Sequence, residues 1–243
     1  MNIIIPMAGL GSRFMKSGIT TPKPLVQLKG RPFFWWSAKS LLRYYPNSRL
    51  IFVVQQQHVE SFKIDQEITR YFPNGIVEVT PVLTRGALET CMIGLERVEN
   101  SNPIVFMDSD LAFKCSEMTT IAKRLKTIDC LAGLLCTFES NRDCYSYAEF
   151  RDYRLVRTKE KMVISDTAIA GCYVFKNADI VRTAYDSYRV TCEYDELFTS
   201  GLFNTITAAG GLVEQIKLDA IYSFGTPDEF HSVERFIPNF DDF

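Results

Sequence analysis

The chain has 243 residues and a nearly balanced charge, with 27 Lys and Arg residues against 29 Asp and Glu residues. The basic residues are dispersed, so the clustered positive surface of a nucleic-acid-binding protein is missing, and the sequence favours a small anionic ligand over DNA or RNA. A chain of this length fits one domain of the larger kind, which buries about three quarters of its unfolded surface.

Cysteine usage and apolar runs indicate a cytoplasmic protein. Seven Cys residues occur without a C-x-x-C pair, in contexts such as CLAGLLC that are typical of reduced core thiols. The first apolar run, IIIPMAGL, lacks a basic leading segment, and no run approaches the roughly 20 apolar residues of a membrane span. The only histidines, His58 and His231, are too few and too far apart to indicate zinc or a Ser-His triad.

Strand-like and helix-like runs alternate through the first half of the chain. Strands are predicted over residues 2–6, 49–54, 76–82, 103–107 and 131–138. Between them, apolar residues at helical spacing predict helices over residues 33–44, 59–71, 88–98 and 118–127. This alternation predicts an α/β fold, a three-layer α/β/α sandwich around a mostly parallel, Rossmann-like mixed sheet.

From Tyr145 onward the pattern changes to hairpins and later strands. YAEFRD and RLVRTKEK predict a hairpin around Tyr153, and AGCYVF and VEQIKLDAIYSF predict strands, with a helix between them that ends near Gly210. No repeat, low-complexity tract or linker interrupts the chain. We therefore predict a single domain over residues 1–243.

The most informative segment is the first 25 residues, MNIIIPMAGLGSRFMKSGITTPKPL, in which an apolar strand runs into a glycine loop. Gly9 and Gly11 permit positive φ and close approach, so this loop can present backbone N–H groups to phosphate, and the helix that follows adds roughly half a positive charge. A dinucleotide-binding motif needs a third glycine, where this chain has Phe14. A Walker loop needs G-K-[ST] after its second glycine, where this chain reads G-S-R.

G-x-G-S-R-F with P-K-P-L downstream resembles the N-terminal signature of the sugar-nucleotide pyrophosphorylase family, the NTP-transferases (nucleotidyltransferases) that make NDP-sugars and related activated head groups. The resemblance extends in patches from Met1 to about Phe230. It implies a GT-A-like nucleotidyltransferase fold, with a nucleotide-binding half at about 1–140 and an acceptor-binding half at about 141–243. It also implies that an acceptor phosphate attacks the α-phosphorus of an NTP while pyrophosphate leaves.

Two basic side chains are the candidate catalytic residues of such a reaction. Arg13 can hold the leaving phosphates bidentately, and Lys23 suits a point charge near the α-phosphate. The alternative for both is a solvated surface charge, which the stiff glycines and prolines around them disfavour. The nucleotide-binding candidates in the same loop are Ala8, Gly9, Gly11 and Ser12.

VFMDSDLAF places Asp108 and Asp110 just past an apolar strand, at the sheet edge where open α/β folds bind ligands. Hard carboxylates there suit Mg²⁺, and the block resembles the family's acidic metal motif, with Asp110 the better match. The alternative is an ordinary strand-to-loop turn. Family members often carry a second metal-binding aspartate before a C-terminal G-T-P-D-like turn, where this chain has Ser223; either one metal suffices, or Asp219 or another acid substitutes.

TRGALET resembles the family segment that contacts the base, which makes Thr84 and Gly86 nucleotide-binding candidates. Without that resemblance, Gly86 is a plain helix-entry turn. The base itself is therefore left open.

RTKEKMVIS and AIAGCYVF resemble the blocks that hold the acceptor in this family. They make Glu160, Lys161 and Gly171 acceptor-binding candidates, and Glu193 in CEYDEL resembles a further acceptor-side position more loosely. The alternative for Glu160 and Lys161 is charge at a hairpin edge, which is common in sheet proteins.

Together these motifs predict a Mg²⁺-dependent nucleotidyltransferase that joins an NTP to a phosphorylated small molecule, such as a sugar 1-phosphate or a head-group phosphate. The M-A-G-x-G-S-R-F form and the short chain look more like the cytidylyltransferases that serve surface-polysaccharide or lipid head-group decoration, which favours CTP. The expected partners are the NTP and the phosphorylated acceptor, with no nucleic acid and no membrane, and a homo-oligomer is left open.

Two alternatives stay open. A metal-dependent glycosyltransferase could use an NDP-sugar through D-S-D, but it leaves Arg13 and Lys23 unexplained. A catalytically silent, nucleotide-sensing regulatory protein on the same fold is kept open by Ser223.

Overall fold

The computed structural model describes residues 1–99 and 101–237. The strands within these residues are β1 (Asn2–Met7), β2 (Gln27–Leu28), β3 (Arg31–Pro32), β4 (Arg49–Gln55), β5 (Ile76–Thr80), β6 (Ile104–Met107), β7 (Leu111–Lys114), β8 (Leu131–Glu139), β9 (Ser146–Arg151), β10 (Arg154–Glu160), β11 (Thr167–Phe175), β12 (Leu212–Lys217) and β13 (Ala220–Ser223). The helices are α1 (Ser12–Lys16), α2 (Phe33–Leu42), α3 (Gln56–Phe62), α4 (Ile64–Tyr71), α5 (Ala87–Leu95), α6 (Ile121–Thr127), α7 (Ala178–Thr191), α8 (Thr199–Ala208) and α9 (Pro227–Val233). Short 3₁₀ turns cover Lys23–Leu25 and Ser116–Thr120.

The central sheet combines a parallel half with an antiparallel strand. β5, β4, β1 and β6 are neighbours in that order and run parallel. β11 pairs antiparallel with β6 on one side and with β8 on the other, and β12 lies parallel to β8. Beyond the end of β6, β11 pairs antiparallel with β9, and β9 pairs antiparallel with β10. The short pairs β2–β3 and β7–β13 form two further sheets.

Helices cover both faces of this sheet, and each face has its own core. Successive residues of β1 point to opposite faces, so Ile3 and Ile5 enter one core and Ile4 enters the other. Helices α2, α4 and α6 contribute to the first core, while α5, α7 and α8 contribute to the second. Both faces of the central strands are therefore buried, which is why their sequences are continuously apolar. The predicted three-layer α/β/α sandwich is confirmed.

The structure differs from the sequence prediction in particular elements. The single helix predicted over 59–71 is two helices, because Lys63 adopts a left-handed conformation with φ of +53° between α3 and α4. β7 was not predicted, since four residues directly after an acidic turn are too few to show a strand pattern. All seven cysteines are free thiols; four are buried as expected, but Cys130 is exposed in the turn before β8. Among the described helices, none is both long and apolar enough to cross a membrane.

Candidate active site

A cavity of about 630 Å³ opens at the carboxyl ends of β1 and β6. The loop after β1, the acidic turn after β6 and the middle of β11 all form parts of its wall. Ligands bind in open α/β sheets at this edge, where the strands end and their loops diverge. The cavity contains Arg13, Lys23, Asp108, Asp110, Glu160, Lys161 and Gly171 in its wall, so the structure brings most of the predicted site residues together.

The glycine loop reaches the cavity in the conformation that its sequence requires. Gly11 has φ of +62° and precedes α1, and a Cβ at this position would lie 3.2 Å from the Cβ of Lys23. Gly9 has open space around it, which leaves its backbone accessible to a ligand. All four nucleotide-binding candidates of this loop line the cavity: Ala8, Gly9, Gly11 and Ser12.

The two candidate catalytic cations differ in their partners. Arg13 is exposed at the cavity wall and its guanidinium makes no ion pair within residues 1–99 and 101–237. The next residue, Phe14, is fully buried and packs edge-on against Phe33 with ring centroids 5.8 Å apart, which anchors α1. Lys23 instead forms an ion pair with Asp110 and lies 5.7 Å from the centre of the Phe14 ring. The backbone at Arg13 is therefore held in place by the packing of Phe14, while the Arg13 guanidinium has no ion-pair partner among the described residues.

Asp108 and Asp110 stand side by side just past β6 but in different surroundings. The side chain of Asp110 is 24% exposed, whereas the carboxyl of Asp108 lies against Gly171 of β11. Burial raises the pKa of Asp108 to about 8, and the charge of Asp110 acts in the same direction while Lys23 opposes it. The backbone N–H of Asp108 donates to the Gly171 carbonyl at 2.8 Å.

Gly171 makes room for this carboxyl. It has φ of +65° at an irregularity in β11, and a Cβ there would lie 2.5 Å from Oδ2 of Asp108. No other residue fits both the backbone conformation and the space. This contact gives Gly171 a structural role at the acidic turn.

The two carboxylates fit a magnesium ion. Mg²⁺ is commonly held by one or two carboxylates together with substrate phosphates, rather than by a full set of protein ligands. Within the part of the chain that the structure describes, no group of three or more His, Cys, Asp or Glu side chains could hold a metal. The donor set therefore suits an ion that arrives with a phosphorylated ligand.

Ser223 itself supplies no carboxylate, and the two nearby acids that could replace one, Asp219 and Glu229, are both hydrogen-bonded by the protein. Ser223 lines the cavity on β13, but Asp219 lies outside it and accepts a hydrogen bond from the Ser116 backbone N–H at 2.6 Å. Glu229 was missed by the sequence analysis and is a buried carboxylate in the cavity wall. Its oxygens accept from Arg142 at 3.2 Å, from Tyr145 and from the backbone N–H of residue 226 at 3.1 Å.

This arrangement also gives Glu229 a local role. It completes a capping box at the start of α9, with reciprocal hydrogen bonds between the side chain and backbone of Thr226 and Glu229. T-x-x-E before an apolar run is a sequence signal for this motif and could have identified the residue. Its carboxylate is thus satisfied by the protein.

The predicted base-contacting segment forms one wall of the cavity. The Thr84 hydroxyl lies 2.6 Å from the Thr90 hydroxyl and 3.2 Å from the Gly86 carbonyl. Gly86 has φ of +129°, and a Cβ there would lie 2.8 Å from the carbonyl oxygen of Leu197. The close packing of α5 against the segment before α8 therefore explains why this position is a glycine.

Glu160 and Lys161 line the cavity at the end of β10, which β9, β11 and β6 separate from β1 in the order of the sheet. Glu160 accepts hydrogen bonds from Ser146 and, at 3.1 Å, from Ser200. Burial raises the pKa of Glu160, and these two hydroxyl hydrogen bonds oppose that shift. The Lys161 ammonium lies 4.9 Å from the centre of the Phe198 ring. A fixed carboxylate and an exposed cation thus stand together at the cavity.

Glu193 is the predicted site residue that the main cavity does not include. It lines a second cavity, while Asp195 and Glu196 of the same CEYDEL run line the first. The run carries three acidic residues within four positions, and their spacing alone does not decide which of them faces the ligand. Asp195 and Glu196 are therefore cavity residues that the sequence analysis did not single out.

Comparison with known proteins finds similarity in solved structures. No family model matches the chain, and the search of curated proteins finds no match. A nucleoside-diphosphate-sugar pyrophosphorylase from Vibrio cholerae RC9 has a TM-score of 0.82 at 25% identity, covering 96% of this chain and 99% of that one. A protein assigned as a glucose-1-phosphate thymidylyltransferase from Bacillus anthracis has a TM-score of 0.79 at 14% identity, covering 98% and 96%. The inositol-1-phosphate CTP transferase of T. maritima has a TM-score of 0.74 at 13% identity, covering 98% and 97%.

Proposed function

We propose that this chain, which has the fold of the NTP-transferase family that includes the sugar-nucleotide pyrophosphorylases, transfers a nucleotidyl group from an NTP to a phosphorylated small molecule. The observation that carries the proposal is the shared cavity. It joins a glycine loop, the unpaired cation Arg13, the Lys23–Asp110 pair and, on the facing wall, Glu160 and Lys161. One wall thus suits a polyphosphate and the other suits a second, smaller anion with hydroxyl groups.

Catalysis of this reaction depends on charge neutralisation and substrate positioning more than on a covalent intermediate with the protein. An acceptor phosphate oxygen attacks the α-phosphorus in line while pyrophosphate departs on the other side, so two anions must be held together. In this proposal Arg13 neutralises the departing phosphates and Lys23 stabilises charge at the α-phosphate. Lys23 must then exchange Asp110 for the phosphate, which frees that carboxylate at the same moment.

Asp110 and Asp108 would hold Mg²⁺ in this proposal. When bound, the ion would neutralise phosphate charge at the carboxyl end of β6. The freed Asp110 carboxylate and the enclosed Asp108 are the protein groups positioned for it. The absence of a carboxylate at Ser223 argues for a single ion, because the nearby Glu229 is already satisfied by Arg142, Tyr145 and the α9 cap.

For the substrates we propose CTP and a sugar 1-phosphate or head-group phosphate. The resemblance of the M-A-G-x-G-S-R-F loop to cytidylyltransferases supports CTP, and the similarity to the inositol-1-phosphate CTP transferase is consistent with this choice. Glu160 can accept hydrogen bonds from the hydroxyl groups of such a molecule, and Lys161 can bind its phosphate.

The test is pyrophosphate release from each of the four NTPs with Mg²⁺, using glucose 1-phosphate, inositol 1-phosphate and phosphocholine as acceptors. We expect release that needs both an NTP and an acceptor, with CTP the best nucleotide. Consumption of an NDP-sugar without pyrophosphate would establish the glycosyltransferase alternative. Tight nucleotide binding with no turnover of any pair would establish the silent regulatory alternative.

A further inference from the structure

Glu160, which the proposed function assigns to the acceptor, is held from two sides by hydroxyl groups. Ser146, the first residue of β9, and Ser200, in the first turn of α8, both donate hydrogen bonds to its Oε2 atom. Both serines are buried. The Oε1 atom of Glu160 receives no hydrogen bond from the residues that the structure describes. One carboxylate oxygen is therefore fixed by the protein, and the other has no protein donor.

Helix α8 is itself fixed against β10, the last strand of the central sheet. The Asn204 side chain accepts from the Thr158 backbone N–H at 2.7 Å and donates to the Thr158 carbonyl at 3.2 Å. The Thr158 hydroxyl, which is buried, donates to the Ser200 carbonyl at 2.8 Å. These bonds join α8 to β10 two residues before Glu160. The position of the Ser200 hydroxyl relative to the carboxylate is therefore set by the backbone.

The serine hydroxyls do for Glu160 what its neighbouring cation does not. The Lys161 ammonium lies 4.9 Å from the centre of the Phe198 ring, and no ion pair joins it to Glu160 in the part of the chain that the structure describes. Burial raises the pKa of Glu160, and the two hydroxyl hydrogen bonds oppose this shift because they favour the ionised form. They also restrict the rotamers of a flexible side chain before a ligand binds, which removes an entropic cost from binding.

We propose that Ser200 and Ser146 are positioning residues for the acceptor, because they hold Glu160 in the orientation in which its Oε1 atom accepts a hydrogen bond from the phosphorylated molecule. This inference rests on the proposed nucleotidyl transfer. Ser200 is the more informative of the two serines. It lines the second, smaller cavity and not the first, so it does not contact an acceptor bound beside Lys161 and acts on that acceptor only through Glu160.

The test is steady-state pyrophosphate release by Ser200→Ala at varied acceptor concentration, with the NTP and acceptor that the wild-type chain uses best. We expect the acceptor KM to rise about fivefold, with kcat and the Kd of the NTP within about twofold of wild type, because only acceptor binding is affected. Thr207→Val is the matched control, since it removes an α8 hydroxyl that donates within the helix, to the Asn204 carbonyl. It should leave the acceptor KM unchanged.

A double-variant cycle separates positioning from a general effect on the structure. In the Glu160→Ala chain there is no carboxylate to position, so adding Ser200→Ala should not raise the acceptor KM further. An equal fold-change in both backgrounds would mean that Ser200 acts through the packing of α8, and the proposal would be wrong. Unchanged acceptor KM in Ser200→Ala would also overturn it.

A second variant guards against a Ser200→Ala chain that does not fold. Thermal unfolding shows whether each variant is folded at the assay temperature. Ser146→Ala removes the other hydroxyl and should show the same dependence on Glu160, with its effect on the acceptor KM lost in the Glu160→Ala background. An effect of Ser146→Ala that persists in that background would contradict the proposal.

The outcome for the proposed function is read from the wild-type chain alone. If the wild type releases no pyrophosphate with any NTP and acceptor, nucleotidyl transfer is refuted, and the acceptor role of Glu160 is refuted with it. If the wild type turns over and the serine variants keep its acceptor KM, only the positioning role is refuted.

Discussion

Arg13 and Lys23 carry the same charge but differ in whether that charge already has a partner. Arg13 has no charged partner among the described residues, and Lys23 pairs with Asp110. We predict that Arg13→Ala or Lys23→Ala lowers kcat by about a hundredfold or more, since a preorganised charge at the transition state contributes about 3 kcal/mol. Steady-state pyrophosphate release measures this. The matched control is Lys16→Ala on α1, which is exposed and outside the cavity. Wild-type turnover in either cavity variant would rule out nucleotidyl transfer at this site.

Asp110 and Asp108 should differ as metal ligands because Asp110 pairs with Lys23, whereas the Asp108 carboxyl lies against Gly171 of β11. We predict that Asp110→Asn abolishes Mg²⁺-dependent turnover and that Asp108→Asn has a milder effect. The measurement is activity against Mg²⁺ concentration. Asp219→Asn is the control, since that carboxylate accepts from Ser116 outside the cavity. A normal Mg²⁺ titration in Asp110→Asn would show that D-S-D is only a turn.

Glu160 and Lys161 line the cavity at the end of β10, which β9, β11 and β6 separate from β1, the strand that carries the glycine loop. We predict that Glu160→Ala raises the KM of the acceptor with little change in NTP affinity, and that Lys161→Ala acts in the same direction more strongly, because it removes the cation that would meet the acceptor phosphate. Acceptor kinetics and calorimetry of NTP binding distinguish the two effects. Arg157→Ala, on the same strand and paired with Glu149, should change neither. Unchanged acceptor KM in both cavity variants would mean that the acceptor binds elsewhere.

At the scale of elements, β11 explains how the acidic turn is built. β11 crosses from β6 to β9 at the irregularity around Gly171, and this is the point where the Asp108 carboxyl needs space. The site therefore depends on a strand, Thr167–Phe175, that lies far along the chain from the acidic turn itself.

We predict that Gly171→Ala displaces the acidic turn. The new Cβ would lie 2.5 Å from Oδ2 of Asp108 at φ of +65°, so a left-handed strain of about 1–2 kcal/mol adds to an overpacking cost of about 1–3 kcal/mol. Gly30→Ala is the matched control, because Gly30 also has positive φ but open space around it. Denaturant unfolding should show the smaller loss in Gly30→Ala, and turnover should fall only in Gly171→Ala. Equal activity of the two variants would show that the Asp108 position does not matter.

Element prediction succeeded where one periodicity extends over several residues. β1, β4 and β6 are buried on both faces and their sequences are apolar except for Asn2, Arg49 and Gln55 at strand ends, so their positions could be read directly. β7 and the break at Lys63 could not be predicted, because a four-residue strand and a single left-handed residue leave no periodic signal. At the candidate site, complete local motifs pointed to Arg13 and Asp110, whereas the local signal at Glu229 indicates only a helix cap and the spacing of the CEYDEL run does not distinguish Glu196 from its acidic neighbours.

At the scale of the whole molecule, the cavity connects distant parts of one sheet. The glycine loop follows β1, the acidic turn follows β6, and Gly171 lies in β11, with β6 hydrogen-bonded to both neighbours. A ligand that contacts these segments therefore binds only when the parallel and antiparallel parts of the sheet are both folded. Binding to the native state alone raises the free energy of unfolding in proportion to the logarithm of ligand concentration.

This argument predicts a thermal shift that also identifies the nucleotide. At about 100 times its Kd, a bound NTP adds about 2.7 kcal/mol to the free energy of unfolding, which for a chain of this size corresponds to roughly 5–10 °C in Tm. Differential scanning fluorimetry with each NTP and Mg²⁺ should give the largest shift for CTP. Arg13→Ala should reduce that shift and Lys16→Ala should not, since only Arg13 lines the cavity. If no NTP raises Tm at millimolar concentration, the cavity is not a nucleotide site, and the roles assigned to Arg13, Lys23 and Asp110 fail together.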